Sequence, residues 1–339
     1  MPKQPNEKNE RIKRRFLEYR KYARQLSDKT LDRELTSLER FDVWNQRKDF
    51  AQFHIEQAMG FREHLEQVKG ASNRPLAKST MRAIMATLRE FILWLSQQEG
   101  FRSKIRPAHA EYFNLSRRDE AEARAAPPRP APSVKQAKRT LSLMPAKTPI
   151  DFRNKAIFAL LCLTGIRVAA LVSLRIKHVD LKEKSVTQNP REVATKFGKS
   201  IDTFFAQGFE DAEALLAQWL KHLDEVELYG PDDPLFPSTA LIAKSNTGFK
   251  RDGFDRRHWK TTEPVRKIVS HAFDAAGQPN YGPHSFRHML ARHAVDTSQS
   301  VAEIVATSQN LGHSGVLVTL TNYGQISRER QRQLVTGEK

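Results

Sequence analysis

STMRAIMATLREFILWLSQQ, residues 79–98, sets Met81, Ile84, Met85, Leu88, Phe91, Ile92 and Leu95 at the spacing of one face of an α-helix. Ser79 is placed to cap that helix and Gly100 to stop it. Helices are likewise expected over 10–26, 29–46 and 50–69, marked by Phe16 and Leu17, by Leu31, Leu35 and Leu38, and by Phe53, Phe61 and Leu65. Four amphipathic helices, each with one apolar stripe, suffice for a small bundle.

Composition changes at 119–133, DEAEARAAPPRPAPS, where four prolines sit among Ala and Arg. Such a stretch is extended and semi-rigid. It divides the chain into an N-terminal helical domain (1–122), a Pro-rich linker (123–132) and a second domain with a C-terminal tail (133–339). Within the second domain, Asp151 is expected to cap a helix through Ile157, Leu160 and Leu161 that stops at Gly165. Three short β-like runs, SVTQ, EVATK and SIDTFF, lie in 184–205, with Gly198 as a hairpin turn between the last two. Helices are expected again at 211–227 and 259–276 and in three pieces from His284 to the end. The fold class read from the sequence is mainly α with a small antiparallel β-sheet.

The 339 residues carry 56 Lys and Arg against 39 Asp and Glu, a formal net charge of +17. That surplus points to a polyanionic partner, most simply nucleic acid, because neutralising phosphates releases condensed counterions. Segment 244–267 holds eight basic residues against three acidic, and Lys250, Arg251, Arg256, Arg257 and Lys260 are its candidate phosphate contacts. Lys78 and Arg82 are candidates in the N-terminal domain. The single cysteine, Cys162, supports neither a disulfide framework nor a zinc cluster. The polar first fifteen residues do not read as a signal peptide, and the apolar run from Ala156 to Ile166 is too short to span a bilayer. The expectation is a cytoplasmic, nucleoid-associated protein without membrane contact.

Cleaving a phosphodiester without a metal requires a nucleophile in line with phosphorus, cations on the non-bridging oxygens and an acid for the departing oxygen. The planar fork of Arg suits the second task, Lys or His can supply the proton, and Tyr can form a covalent intermediate. Four islands supply these types in order. They are Thr164-Gly165-Ile166-Arg167; Thr195-Lys196-Phe197-Gly198-Lys199; His284-Ser285-Phe286-Arg287-His288; and Leu311-Gly312-His313, with Tyr323 ten residues further on.

In these motifs the chain resembles the tyrosine recombinase (phage integrase) family from about Pro132 to Tyr323. The bundle resembles, less specifically, the family's core-binding (SAM-like) domain, chiefly over Ser79 to Trp94. The resemblance implies a tyrosine recombinase catalytic domain, a site-specific enzyme that cleaves and rejoins DNA through a 3′-phosphotyrosyl link. It implies Tyr323 as nucleophile, Arg167 and Arg287 as the phosphate clamp, Lys196 as general acid, His284 as proton-handling partner and His313 as a further phosphate donor. No metal and no cofactor are expected. The implied partners are double-stranded DNA target sites gripped between the two domains, a homotetramer on DNA (monomer or weak oligomer when free), and accessory DNA-bending factors. Lys199 is the rival of Lys196 for the acid role. Where the family often has an acidic residue three positions after the first Arg, this chain has Ala170. A type IB topoisomerase-like relaxing enzyme and a silent DNA-binding relative are the alternative readings. His284 and His288, spaced as i and i+4, lack the further ligands that a zinc site requires.

Overall fold

The structure is a computed structural model. It describes residues 4–337 except 71–72, 126–129, 196–197, 245–247 and 324–327; of 241–244, 248–252, 322–323 and 330 it describes the backbone alone. The chain divides into two compact units, Met1–Pro127 and Pro128–Lys339.

The N-terminal unit contains α1 (Glu7–Tyr22), α2 (Asp28–Trp44), α3 (Ile55–Gln67), α4 (Lys78–Leu95) and α5 (Arg117–Arg124), with 3-10 turns at Phe50–Gln52 and Pro107–Phe113. The seven apolar residues of α4 named from the sequence are all buried. They share the core with Phe16, Phe41, Phe50, Phe61 and Phe113; Phe41 meets Phe61 and Phe113 edge-on at 5.2 and 5.9 Å between centroids. Burying each such ring contributes on the order of 2 kcal/mol or more. A polar knot ties α1 to α2. Lys13 Nζ, buried, donates to Glu10 (2.7 Å), Glu39 and Asp42 (3.2 Å), and Asn9 Nδ2 donates to Asp42 Oδ1 (2.7 Å). Two sequence expectations change. The cap of α4 is Ala77, with Ser79 inside the first turn. Residues 119–124, grouped with the linker, are helical, because Ser116 Oγ accepts from Asp119 N (3.0 Å) and starts α5.

The second unit runs α6 (Val134–Leu143), α7 (Pro149–Thr164), α8 (Val168–Leu171), β1 (Val179–Asp180), β2 (Ser185–Gln188), β3 (Ile201–Phe204), α9 (Glu210–Glu225), β4 (Ser238–Lys244), β5 (Gly248–Asp255), α10 (Glu263–Ala275), α11 (Ser285–Thr297), α12 (Val301–Asn310), α13 (Val316–Tyr323) and α14 (Arg328–Thr336). Helix α7 is buried on every side from Ala156 to Thr164, which is why its apolar residues run together rather than forming a stripe. Phe158 packs on Phe273 and Phe286, and Trp219 of α9 donates its indole N–H to Leu235 O (2.9 Å). The cap of α7 is Thr148, with Asp151 completing a reciprocal capping box. Buried Arg153 fastens α7 to the start of β4 through Pro237 O (2.8 Å) and Thr239 Oγ1 (3.0 Å), with its guanidinium 4.7 Å from the Trp259 ring centroid.

Strands β1, β2 and β3 form one antiparallel sheet in that order, with Val186 opposite both Val179 and Thr203. Residues 192–195 of the run EVATK are not a strand, so the hairpin is β2–β3 with 189–200 between its strands. Segment 244–267 begins in a second antiparallel pair, β4–β5, which carries a bulge between Thr239 and Leu241. Helix α10 starts at Glu263 rather than 259 because Pro264 fits only the first turn. Among the described residues the last segment forms four helices where three are expected.

Candidate active site

Three of the four islands meet at helix ends. Gly165 is the left-handed C-cap of α7, at φ +54°. A Cβ there would lie 3.2 Å from both Arg287 Cα and Leu290 Cδ1. Only glycine lets the end of α7 take this turn while α11 packs across it. Thr164 Oγ1 donates to Leu160 O (2.6 Å) and accepts from Ile166 N (3.2 Å), shaping the exit towards Arg167, the N-cap of α8.

Arg287, on the first turn of α11, is 3% exposed. Its guanidinium donates to Gly165 O (3.0 Å) and to Leu311 O. Those carbonyls belong to the C-caps of α7 and α12, where the helix dipoles are negative and a cation is favoured. Arg167 Nη2 donates to Gly312 O (3.2 Å). Both arginines therefore hold the Leu311–His313 turn.

That turn is fixed from two further sides. Gly312 is left-handed at φ +61°, and a Cβ on it would lie 2.5 Å from Ile201 Cδ1 of β3. The Asn310 side chain pairs with the backbone of Phe204, accepting from its N–H (2.6 Å) and donating to its carbonyl (3.0 Å). Thr203 Oγ1 donates to Asn310 O (3.2 Å). Beyond the turn, His313 Nδ1 is 2.8 Å from Thr319 Oγ1, which is wholly buried on α13. Burial first, then the charges of Arg287, Arg167 and His284, push the His313 imidazole down to about 4. A histidine so placed is neutral at pH 7, with one ring nitrogen a donor and the other an acceptor. His284, exposed, caps α11, and buried His288 lies edge-on to it at 4.8 Å between ring centroids.

Arg167, His284, Arg287 and His313 are thus brought together. Lys196 lies outside the described residues, as does the Tyr323 side chain; the Tyr323 backbone ends α13, one helical turn beyond Thr319. Lys199 is exposed in the same β2–β3 connection. Ala170 is buried in the core of the unit, on the short helix that Arg167 starts. Asn310 and Ser173 are not legible in the sequence because each acts through backbone groups, and Thr319 is not because no motif marks a threonine six residues after the histidine it meets. A cavity of about 750 Å³ between α7 and α10, lined by Ile150, Trp259, Pro264 and Ile268 among others, contains no island residue.

The candidate DNA contacts belong to both units. The side chains of Lys250 and Arg251 lie outside the described residues. Arg256 donates to Glu227 O and Leu228 O and stacks on Tyr229, Arg257 pairs with Asp255, and Lys260 is exposed. Lys78 meets Asp119 (2.6 Å) and Arg82 meets Glu120 (2.8 Å), both on α5. Among the described residues, one carboxylate trio has spacing fit for a metal ion, Glu10, Glu39 and Asp42, and Lys13 and Arg47 pair with it. No helix among the described residues is long and apolar enough to cross a membrane.

Residues 133–330 match the phage integrase family. Tyrosine recombinase XerC of Bifidobacterium longum is 30% identical over 179 residues, 52% of this chain and 44% of that protein. Tyrosine recombinase XerD of Pseudomonas aeruginosa is 28% identical over 187 residues, 55% of this chain and 54% of that protein. The chain spans about half the length of these curated relatives. The fold is that of the Tn1549 transposon integrase solved with transposon right end DNA (TM-score 0.59, 11% identity, 97% and 99% of the two chains). It is also that of a lambda integrase dimer bound to a COC′ core site (TM-score 0.58, 15% identity, 94% and 96%).

Proposed function

Since this chain belongs to the phage integrase family, we propose that it is a site-specific DNA recombinase that cleaves and rejoins strands through a covalent link to Tyr323. The observation that carries this reading is the junction of Arg167, Arg287 and His313 on one turn, Leu311–His313. Two guanidinium forks and a neutral imidazole gathered there are suited to a phosphodiester, since preorganised donors stabilise charge that develops on phosphate oxygens.

The roles are those that the family resemblance implies. The phenolic oxygen of Tyr323 attacks phosphorus and its proton leaves to His284. The bond from phosphorus to the 5′ oxygen breaks, and that oxygen takes a proton from the Lys196 ammonium. Arg167, Arg287 and His313 hold the non-bridging oxygens throughout. The 3′-phosphotyrosyl ester keeps the bond energy, so attack by a 5′ hydroxyl rejoins DNA without a nucleotide cofactor.

Residues 133–339 form the catalytic domain in this reading and residues 1–122 a core-binding domain, with the Pro-rich segment between. Lys78 and Arg82 would exchange their carboxylate partners on α5 for phosphates, and Lys250, Arg251, Arg256, Arg257 and Lys260 would supply basic contacts from the second domain. Strand exchange between two duplexes needs four cleavages, hence four protomers on two sites.

The test uses DNA selected by the purified chain, nicked beside the cleavage position so that the released 5′ fragment diffuses away. Denaturing electrophoresis then shows a shifted protein–DNA adduct that Tyr323→Phe abolishes. An adduct that persists in the Phe variant means a different nucleophile.

A further inference from the structure

Residues Asn189–Thr195, which lead from β2 towards Lys196, are folded on themselves. Asn189 O accepts from Glu192 N (3.0 Å) and Val193 N (2.8 Å), Asn189 Oδ1 accepts from Arg191 N (3.0 Å), and Thr195 N donates to Val193 O (2.8 Å). Val193 is buried in the core. Two external tethers fasten the turn. The Glu192 carboxylate receives Lys177 Nζ (2.6 Å) on one oxygen and lies 3.1 Å from His178 Nε2 with the other. The backbone N–H of Ala194 donates to Ser173 Oγ (2.9 Å).

The tautomer of His178 is set by its neighbours. Its Nδ1 accepts from Arg175 N (3.0 Å), so Nε2 carries the proton and donates to Glu192 even when the ring is neutral. Lys177 also pairs with Asp232 (2.9 Å), as does Arg175 (3.1 Å). All these anchors follow closely on Arg167. Ser173 sits just beyond the C-cap of α8, the helix that Arg167 starts, and its own hydroxyl donates to Ala170 O (2.9 Å). The turn is therefore held to the same short stretch of chain that carries one phosphate-clamping arginine.

We propose that Glu192 and Ser173 are positioning residues for the general acid: they fasten the turn that precedes Lys196 to the Arg167 segment, so that chain connectivity limits how far the proton donor can stray from the phosphate clamp. The inference rests on the reading of Lys196 as the acid. Neither residue touches DNA in this scheme, and each acts only on the departure of the 5′ oxygen. Cleavage forms the bond from the Tyr323 oxygen to phosphorus and breaks the bond from phosphorus to the 5′ oxygen, which takes its proton from Lys196. With sulfur in the bridging 5′ position, the departing group is a thiolate that needs no proton at neutral pH. A fault confined to the acid disappears on that substrate, and a general fault in folding or DNA binding does not.

The experiment measures single-turnover cleavage by the full chain on matched DNAs with bridging oxygen or sulfur, for wild type, Lys196→Ala, Glu192→Ala and Ser173→Ala. General acid catalysis is worth roughly 100-fold or more, so Lys196→Ala should lose about that much on oxygen and regain near wild-type rate on sulfur. Misplacing the acid by about 1 Å should cost roughly 10- to 100-fold. Glu192→Ala and Ser173→Ala should show such losses on oxygen and come within about 3-fold of wild type on sulfur. Glu192→Gln, whose amide oxygen still accepts from His178, should fall between. Equal losses on both substrates, or no loss on oxygen, would overturn the positioning role while leaving the acid assignment intact. Failure of sulfur to rescue Lys196→Ala would remove the acid assignment, and the positioning role with it.

Discussion

Replacing Gly312 by alanine separates two demands that this site makes on one residue. The first is conformational: φ is +61°, and an L-residue held in the left-handed region costs about 1 kcal/mol more than glycine. The second is spatial. The added Cβ would lie 2.5 Å from Ile201 Cδ1, whereas the next contacts, Cγ1 at 3.4 Å and Cγ2 at 3.5 Å, are ordinary. Cδ1 is the far end of a half-exposed side chain, so turning Ile201 about χ2 relieves that overlap at about 0.5–1.5 kcal/mol. Gly312→Ala should therefore destabilise the second unit by about 1.5–2.5 kcal/mol. Ile201→Val removes the offending methyl, itself costing about 1 kcal/mol, and in that background Gly312→Ala should cost only about 1 kcal/mol. The coupling of about 0.5–1.5 kcal/mol is readable by scanning calorimetry of the four proteins. Because Gly312 O accepts from Arg167 and the neighbouring Leu311 O from Arg287, a turn displaced by about 1 Å should slow cleavage by roughly 100-fold. Part of that loss should return in the double variant. An equal penalty in both backgrounds, or full cleavage by Gly312→Ala, would refute the packing of this turn on β3.

Other substitutions test other parts of the site. Arg287→Lys keeps the charge but loses the fork that joins Gly165 O and Leu311 O, so cleavage should fall by roughly 100-fold while DNA binding, read by gel shift, changes little. Arg153→Met leaves Pro237 O buried without that donor and should destabilise the second unit by about 2–3 kcal/mol in calorimetry. His313, held down to about 4 against an ordinary 6.5, binds a proton more weakly folded than unfolded. Its contribution to stability is full above about 6.5 and is lost as pH falls towards 4. The ring resonances of His313 in the free protein should stay flat from pH 8 to about pH 5.5 and should titrate at higher pH once a DNA phosphate sits beside them.

Much of the helical frame could be read from local pattern. The stripe on α4 maps onto its buried face, and Gly165 ends α7 because its turn and its close approach to α11 both exclude a side chain. The start of α5 was also on view as Ser116-Arg117-Arg118-Asp119, a capping signature passed over because prolines follow it. What failed was pattern without tertiary context. EVATK has strand-like Val193 and Thr195, but Asn189 folds the segment on itself and Val193 turns into the core. The β4–β5 pair is hidden by the Lys and Arg of 244–257, which break the apolar alternation of a half-buried strand. The four islands stood out because each is a short motif. The bonds that join three of them end largely on backbone carbonyls of Gly165, Leu311 and Gly312, and no residue type announces a carbonyl that awaits an arginine.

In the proposed reaction Tyr323 attacks a phosphate held by Arg167 and Arg287. To test this, the covalent adduct is trapped on nicked DNA, protein and DNA are digested, and the nucleotide is located by peptide mass spectrometry. A single modified peptide is expected, containing Asn322 and Tyr323 and joined through the tyrosine to a 3′ phosphate. A nucleotide on any other side chain, or a link to a 5′ phosphate, would contradict it.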